Sequence, residues 1–329
     1  MIAQKKIPFL LLISFLLASI LCSLGMGAIE IPFKSLISIL LNRMDLQLNG
    51  LTHTAQQEAV CFTLRMPRML MGLLIGGTLA ISGAAIQGMF RNPLAEPGLI
   101  GISSGASLFA VLMIVLETKI FSFVTASLGY YALAFAAFLG AMVTTFLVYR
   151  FSVKQGRTQV TSLLLIGIAI NALVGACTGL LTFVASDEQL RNITFWSLGS
   201  LGAANWQMLS VLFPFTLTSI IGLSFFGKAL NGMALGESQA SHLGIPIQGI
   251  KKLIILFAAI GVGASVAFSG IIGFISLVVP HLLRMGITGD NRFVLPASVL
   301  LGASMLLIAD LLARTLVAPS ELPIGILTA

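Results

Sequence analysis

The chain has 329 residues, of which 57% are hydrophobic and only 9% are charged, and its mean hydropathy is +1.05. Because soluble domains carry about 25% charged residues, this composition excludes a water-soluble fold and indicates that lipid is the main solvent. The net charge of +7 comes from Lys and Arg residues that lie between apolar runs. Since cytoplasmic loops of membrane proteins collect such residues, we expect no nucleic-acid partner.

Apolar runs long enough to cross a bilayer recur from the beginning of the chain to its end. A membrane-spanning helix needs about 20 mainly apolar residues. The candidate spans are 7–28, 66–90, 98–116, 124–149, 160–185, 205–226, 251–268, 270–286 and 294–317. The first run resembles a signal peptide, but its length and the lack of a well-placed cleavage site favour a first span. From about residue 321 the chain enters an expected tenth span, which the sequence leaves truncated.

The distribution of charge predicts the orientation of these spans. With the N-terminus in the cytoplasm, eleven of the 18 basic residues fall in cytoplasmic segments. This bias predicts a multi-pass protein with a cytoplasmic N-terminus. Residues 228–250 form the longest loop on that side, whereas Phe195–Leu201 is too short to span and is predicted as a short helix at the outer surface.

Glycine pairs spaced four residues apart are frequent in the candidate spans. The pairs are Gly72/Gly76, Gly101/Gly105 and Gly175/Gly179. Small residues at this spacing allow helix backbones to approach closely in lipid. We interpret all three pairs as packing sites inside one subunit rather than as dimerisation motifs.

Motifs that would indicate an enzyme are incomplete. Gly222–Ala229 nearly matches a phosphate-binding loop, but Ala229 replaces the magnesium-binding Ser or Thr, and no strand precedes it. Gly101–Gly105 matches a nucleophile elbow without its strand and its partner residues. Asp310 is the one carboxylate deep inside a span, and Arg314 lies on the same helix face four residues later. An intramembrane ion pair and a functional role are both compatible with this placement.

Candidate metal ligands are scattered along the chain. The three cysteines are Cys22, Cys61 and Cys177, and the histidines are His53, His242 and His281. Neither set has the spacing of a zinc site, and the cysteines contain no C-x-x-C pair. The sequence therefore predicts neither a metal centre nor a disulfide framework.

Several long segments resemble one known family. They are Arg65-Met-Pro-Arg68, Leu79–Gly98, Ser269–Arg284, Ala309-Asp-Leu-Leu-Ala-Arg314 and Glu321–Ala329. They are similar to the signature of FecCD-type permeases, the membrane subunits of ABC importers for iron–siderophore chelates, heme and cobalamin. The resemblance covers almost the whole chain.

The resemblance implies an all-α, ten-span permease fold of type II ABC importers, located in the bacterial inner membrane. It implies a homodimer of permeases with the pathway between the copies, two cytoplasmic ATPase subunits and a periplasmic substrate-binding protein. The permease itself is then not an enzyme and holds no permanent cofactor, because its partner subunit uses the ATP. The missing part of the tenth span is the one departure from the family.

The resemblance also assigns roles to residues at the two membrane surfaces. It implies that Arg65, Arg68 and Arg314 pair with glutamates of the binding protein, although arginines also commonly anchor helix ends at the interface. It implies a helix that couples the permease to the ATPase, for which the candidate residues are Glu237, Ala240, His242, Leu243 and Gly244. Ala240 and Leu243 are three residues apart and are expected to share a face.

The cargo is predicted from a single outer segment. Gln189–Gly202 resembles the corresponding segment of heme permeases, which favours heme over a ferric siderophore or cobalamin. Phe195 and Trp196 offer apolar contact area to a flat ring, and Arg191 offers a partner for a carboxylate. The alternative is an interfacial aromatic anchor, with Arg191 balancing nearby acids. An intramembrane enzyme and an ion channel are the disfavoured readings of the whole chain.

Overall fold

The computed structural model describes residues 2–27, 29–43, 52–117, 120–317 and 320–328, most of which are helical. The α-helices, in chain order, are α1 (Ile2–Gly25), α2 (Phe33–Arg43), α3 (Ala55–Val60), α4 (Met66–Phe90), α5 (Ile102–Leu116), α6 (Ser122–Leu128), α7 (Ala132–Ser152), α8 (Val160–Phe183), α9 (Asp187–Leu198), α10 (Trp206–Ser224), α11 (Gly227–Ala234), α12 (Glu237–His242), α13 (Ile247–Ser269), α14 (Ile275–Gly286), α15 (Asn291–Thr315) and α16 (Ile324–Thr328). A π-helical turn at Cys61–Arg65 joins α3 to α4.

The remaining regular elements are short. Turns of 3-10 helix at Pro97–Ile100 and Gly129–Tyr131 precede α5 and α7. Strands β1 (Val153–Lys154) and β2 (Arg157–Thr158) form an antiparallel hairpin between α7 and α8. The expected tenth span contains α16, and Ala329 lies outside the described residues.

Within the described ranges, seven helical stretches are long and apolar enough to cross a membrane. They are Lys6–Gly25, Ala55–Phe90, Ala132–Ser152, Val160–Phe183, Trp206–Ser224, Ile247–Ser269 and Asn291–Thr315. The apolar helices α5 and α14 are shorter, at 15 and 12 residues. The chain is therefore an all-α polytopic membrane protein.

Helix α4 lies at the centre of the bundle and packs against α10, α13, α14 and α15. Its neighbours approach closely because glycine stands at the contacts. A Cβ atom on Gly76 would lie 2.5 Å from the Gly302 carbonyl oxygen, and one on Gly83 would lie 1.8 Å from that of Ser276. Neither position can therefore carry a side chain without separating the helices.

Helix α8 lies at the periphery, since only 17% of an apolar 18-residue stretch of this helix is buried. No heavy atom would lie within 4 Å of a Cβ on Gly175 or Gly179. The interpretation of this pair as a packing site inside the subunit is therefore wrong. Gly105, in contrast, does pack tightly, since its Cβ would meet the Thr144 hydroxyl at 2.3 Å.

The predicted span 270–286 is wrong at its beginning, because α14 starts only at Ile275. Gly270 and Phe274 both have positive φ angles, 70° and 62°, and the chain between them is not helical. The break is held in place by α9 and the segment after it. Ser200 N donates to Ser269 O at 2.8 Å, and Gly270 packs directly against the Trp196 carbonyl oxygen.

The short outer helix predicted at Phe195–Leu201 is also misplaced. Helix α9 begins eight residues earlier, at Asp187, and ends at Leu198. Ser186 and Gln189 form a reciprocal capping box at its N-terminus, a local signal that the apolar pattern alone does not show. Gly199 ends the helix with φ 68°.

Candidate functional site

One end of the bundle, called here the charged end, contains a cluster of Arg65, Arg68, Asp310, Arg314 and Glu321, of which all but Glu321 are largely buried. Arg68 Nε donates to the two oxygens of Asp310 at 2.9 and 3.1 Å, and its Nη1 donates to Glu321 Oε1 at 2.8 Å. Arg314 Nε lies 3.7 Å from Asp310 Oδ2. The carboxylate that the sequence pairs with Arg314 therefore has a closer partner in Arg68, which sequence reasoning did not identify.

The other two arginines of this cluster bind the C-terminal end of α1. Arg65 donates to Leu24 O at 2.5 Å and to Gly25 O at 2.9 Å, and it also donates to Ile29 O. Arg314 Nη2 donates to Ser23 O at 2.5 Å. The last carbonyls of a helix have no partner within it, and cations stabilise this negative end of the helix dipole.

The cluster leaves little arginine surface for a docking protein. The Arg68 and Arg314 side chains are 12% and 9% exposed, and Arg65 is 6% exposed. Glu321, in contrast, is 45% exposed. The hydrogen bond from Arg68 holds the pKa of the Glu321 carboxyl below its usual range, so this exposed group is anionic at neutral pH. A docking role of the three arginines stays a prediction.

The opposite end, called here the hairpin end, carries the β1–β2 hairpin together with α11 and α12. The predicted loop 228–250 is largely helical, because it contains α12, most of α11 and the first residues of α13. Gly236, with φ 115°, separates α11 from α12 in a conformation that residues with a Cβ rarely adopt.

The structure does not place Ala240 and Leu243 on one face, so that expectation is wrong. Ala240 is fully buried, whereas Leu243 is 65% exposed. The reason is that α12 ends at His242, after which Gly244 turns the chain with φ 76°. His242 and Gly244 are exposed beside Leu243, and together they form the outward surface of the α12 end.

A buried lysine holds α12 in position. Lys251 on α13 is 1% exposed and donates from Nζ to Glu237 Oε1 at 2.7 Å and to Thr158 O at 2.9 Å. Gln248 Oε1 accepts from Thr158 N at 2.7 Å. These bonds join the hairpin, α12 and α13. The sequence places Lys251 at the beginning of the predicted span 251–268 and does not show these partners, because Thr158 and Glu237 are distant from it in the chain.

A polar network on α4, α14 and α15 was also missed by the sequence analysis. Arg284 Nη1 donates to Gln87 Oε1 at 2.5 Å, and its Nη2 donates to Asn291 Oδ1 at 3.0 Å. Asn291 in turn donates to the Asn231 side chain of α11 at 2.8 and 2.9 Å. The network thus joins α11, beside α12, to the central helix α4.

Phe195 and Trp196 line two adjacent cavities beside α9. The smaller cavity, of about 190 Å³, lies against the Ser269–Gly270 break. The larger, of about 770 Å³, also has Glu117 and Glu188 in its wall. Arg191 is exposed and is not among the residues that line these two cavities. The structure therefore places Phe195 and Trp196 at the walls of both cavities and leaves Arg191 outside them.

The candidate metal ligands remain dispersed in the fold. Across the described ranges, no group of three or more His, Cys, Asp or Glu side chains is arranged to hold a metal ion. His53 instead makes local contacts, with Ser38 Oγ at 2.9 Å and with Glu58 Oε2 at 3.3 Å.

The apolar helical bundle, with ion pairs at one end and short helices at the other, is that of a polytopic membrane protein. The chain belongs to the FecCD transport family, whose sequence profile matches residues 15–329. It is the permease subunit of an ABC importer, in which a separate subunit carries the ATPase activity.

Known relatives match this chain over most of its length. It is 43% identical over 326 residues to the hemin transport system permease HmuU of Yersinia pestis, covering 99% of this chain and 92% of the relative. It is 37% identical over 280 residues to the cobalamin import system permease BtuC of Halobacterium salinarum, covering 85% and 72%. A solved metal-chelate type ABC transporter in an inward-facing conformation has a TM-score of 0.82 at 32% identity, covering 97% of this chain and 93% of that one.

Proposed function

We propose that this permease imports an iron-containing chelate and that the chelate is heme. The observation that carries the proposal is the 43% identity to a hemin permease, which extends over 99% of the chain. The match to the cobalamin permease is weaker in identity and in coverage, at 37% and 85%. Helix α9 and the residues that line the two cavities lie within the region aligned with the hemin permease.

The aromatic wall shared by the two cavities supports a flat cargo, and no acidic residue of the described ranges lines the smaller cavity. Phe195 is 62% exposed, and with Trp196 it contributes aromatic surface to both cavities. Rigid aromatic side chains provide large contact areas for a planar ring. Arg191 is exposed four residues before Phe195, so it approaches cargo only from outside the two cavities.

We further propose that the hairpin end faces the bacterial cytoplasm, with the N-terminus on the same side of the inner membrane. Support comes from exposed basic residues at that end, in agreement with the positive-inside rule. They are Arg91, Arg150, Lys154, Arg157, Lys228, Lys252 and Arg292. In this orientation, the exposed Leu243 and His242 face one of two ATPase subunits.

The charged end then faces the periplasm, where a substrate-binding protein docks, and a second permease copy completes the pathway. Glu321 is the most exposed member of the charged cluster and offers a contact for a basic group. The docking prediction for Arg65, Arg68 and Arg314 depends on their release from the bonds described above. Simultaneous change of the three to Glu is expected to abolish complex formation. Because the same change removes the bonds to α1 and Asp310, folding and membrane insertion are measured beside affinity, and unchanged affinity of a folded variant would contradict the prediction.

The cargo is tested by reconstituting the permease with its ATPase and its binding protein in vesicles. ATP-dependent accumulation is measured for heme, a ferric siderophore and cobalamin in parallel. We expect heme to accumulate, and Phe195→Ala to reduce its uptake more than Phe225→Ala, which removes a similarly exposed ring elsewhere. Accumulation of a ferric siderophore without heme would overturn the assignment.

Cobalamin is the second candidate, because a relative that carries this name is 37% identical to the chain. Uptake of cobalamin without heme in the same assay would establish it. Either outcome leaves the permease role unchanged, because the hemin permease, the cobalamin permease and the metal-chelate type transporter are all transport proteins.

A further inference from the structure

The β1–β2 hairpin brings two cations together. Lys154 and Arg157 are direct cross-strand partners, and the two residues between them form the turn. Gln155 and Gly156 have φ angles of 51° and 74°, which match the rigid two-residue turn that fits the twist of a hairpin. Like charges directly opposite each other destabilise a strand pair, so a bound anion would stabilise the hairpin.

A third cation lies immediately before the hairpin. Arg150 is in the last turn of α7 and is exposed, as are Lys154 and Arg157. Phe146, one helical turn before Arg150, and Phe151, beside it, are each 61% exposed. An exposed aromatic surface that ends in exposed cations is typical of a helix that leaves the hydrocarbon core and enters the headgroup region.

Among the described residues, no acidic side chain forms an ion pair with these cations. Among the residues that the structure describes, the ion pairs involve other groups, and none includes Arg150, Lys154 or Arg157. The described part of the chain therefore leaves the three cations available to an external anion.

We infer that Arg150, Lys154 and Arg157 form a binding site for the phosphate of an anionic phospholipid headgroup in the inner leaflet. The inference rests on the proposed cytoplasmic orientation of the hairpin end. A lipid is favoured over an acidic protein surface because the exposed Phe146 and Phe151 place the site at the edge of the bilayer. Each cation near a membrane surface contributes about fivefold to the affinity for anionic lipid.

The site is connected to the coupling region through buried bonds. Thr158, the residue after Arg157, is buried; its carbonyl accepts from Lys251 Nζ at 2.9 Å, and the same Nζ donates to Glu237 at the start of α12. A headgroup bound at the hairpin is therefore linked to α12 through Thr158 and Lys251. We expect anionic lipid to increase the ATPase activity of the assembled transporter through this connection.

The binding site is tested on the full-length permease with phosphatidylglycerol, titrated into detergent solution and counted by native mass spectrometry. The test variant combines Arg150→Gln, Lys154→Gln and Arg157→Gln. The matched control combines Lys228→Gln, Lys252→Gln and Arg292→Gln, which removes the same charge from exposed positions elsewhere at the hairpin end. We expect the tightest phosphatidylglycerol affinity to fall roughly 100-fold in the test variant and less than about fivefold in the control.

Three results would overturn the inference. Equal loss in both variants would show unspecific attraction by net charge. Displacement of the lipid by millimolar inorganic phosphate or glycerol 3-phosphate would show a site for small free anions. Unchanged lipid affinity in the test variant would show that the three cations do not bind the headgroup. Lipid binding is measured without any cargo, so a wrong assignment of heme does not affect the result.

Discussion

The buried charges at the charged end illustrate how single residues are stabilised in this fold. Asp310 is 1% exposed, and an ionisable group so deep in a membrane protein requires a partner. Arg68 provides it, although the two residues are 242 positions apart in the chain. Arg65 and Arg314 extend the cluster by binding the last carbonyls of α1, so the charges also hold the first helix against the bundle.

The Arg68–Asp310 pair gives the first prediction. Arg68→Met leaves the buried carboxylate with only the more distant Arg314, and we expect it to lower the free energy of unfolding by about 3 kcal/mol. Glu321→Gln, which alters the exposed partner of the same arginine, is the control and should cost less than about 1 kcal/mol. Denaturant unfolding in detergent measures both, and equal effects of the two changes would contradict a structural role of the buried pair.

Acid should weaken the same cluster through Glu321. Its pKa is lower in the folded protein than the usual value of 4.5, so its contribution to stability is complete above that value. This contribution is lost as the pH falls through the depressed folded-state pKa. We therefore expect wild-type thermal stability to decline more steeply below about pH 4.5 than that of Glu321→Gln. Parallel pH profiles of the two proteins would refute this expectation.

Phe274 is the third feature at the residue scale. It has φ 62° and ψ −36°, a backbone conformation that is strained for a residue with a bulky side chain. We expect Phe274→Gly to be more stable than Phe274→Ala by about 1 kcal/mol, because both remove the ring but only glycine removes the strain. Thermal unfolding of the two variants is the measurement, and a more stable alanine variant would show that the position is not strained.

At the scale of elements, α12 combines a buried face and an exposed end. Ala240→Glu inserts a carboxylate at a fully buried position, and we expect the protein not to accumulate in a folded form. Leu243→Glu changes an exposed side chain, so it should fold normally and instead reduce transport about tenfold or more by weakening the proposed ATPase contact.

Fluorescence-detected size-exclusion chromatography and ATP-driven uptake distinguish the two α12 variants. Leu235→Glu, which changes another exposed leucine before α12, serves to locate the contact. Full uptake by Leu243→Glu would exclude Leu243 from the coupling surface, and normal folding of Ala240→Glu would contradict the burial of that residue.

At the scale of the whole molecule, the open face of α8 requires an explanation. Gly175 and Gly179 have no neighbouring atom within 4 Å of a Cβ position, although their spacing is typical of close helix packing. The proposed second permease copy can occupy this face. We expect Gly175→Leu with Gly179→Leu to weaken the dimer by about 2 kcal/mol, because the added side chains separate the helices.

The dimer fraction is measured by native mass spectrometry across a range of protein concentrations. Gly249→Leu is the control, because Gly249 is also open but lies on α13 at the hairpin end. If the α8 variant and the control dimerise equally, the second copy does not pack against these glycines.

Much of the general character of this protein was predictable from the sequence. The composition identifies a membrane protein because the solvent determines how much apolar surface a fold can expose. The family follows from long ordered segments such as Leu79–Gly98 and Ser269–Arg284, and the sequence profile confirms it over residues 15–329. The end of α4 at Phe90 agrees with the predicted span 66–90, whereas the helical stretch begins earlier, at Ala55, and continues through the π-helical turn.

Only the tertiary structure decided which charged and polar residues act together. Arg68, Asp310 and Glu321 meet because α4, α15 and the final segment converge, and Lys251 meets Thr158 and Glu237 for the same reason. Local periodicity also could not show that α14 starts late, because the break depends on contacts with α9. A pattern along one helix reports its apolar residues, whereas the partner of a buried charge is set by packing between segments that are distant in the chain.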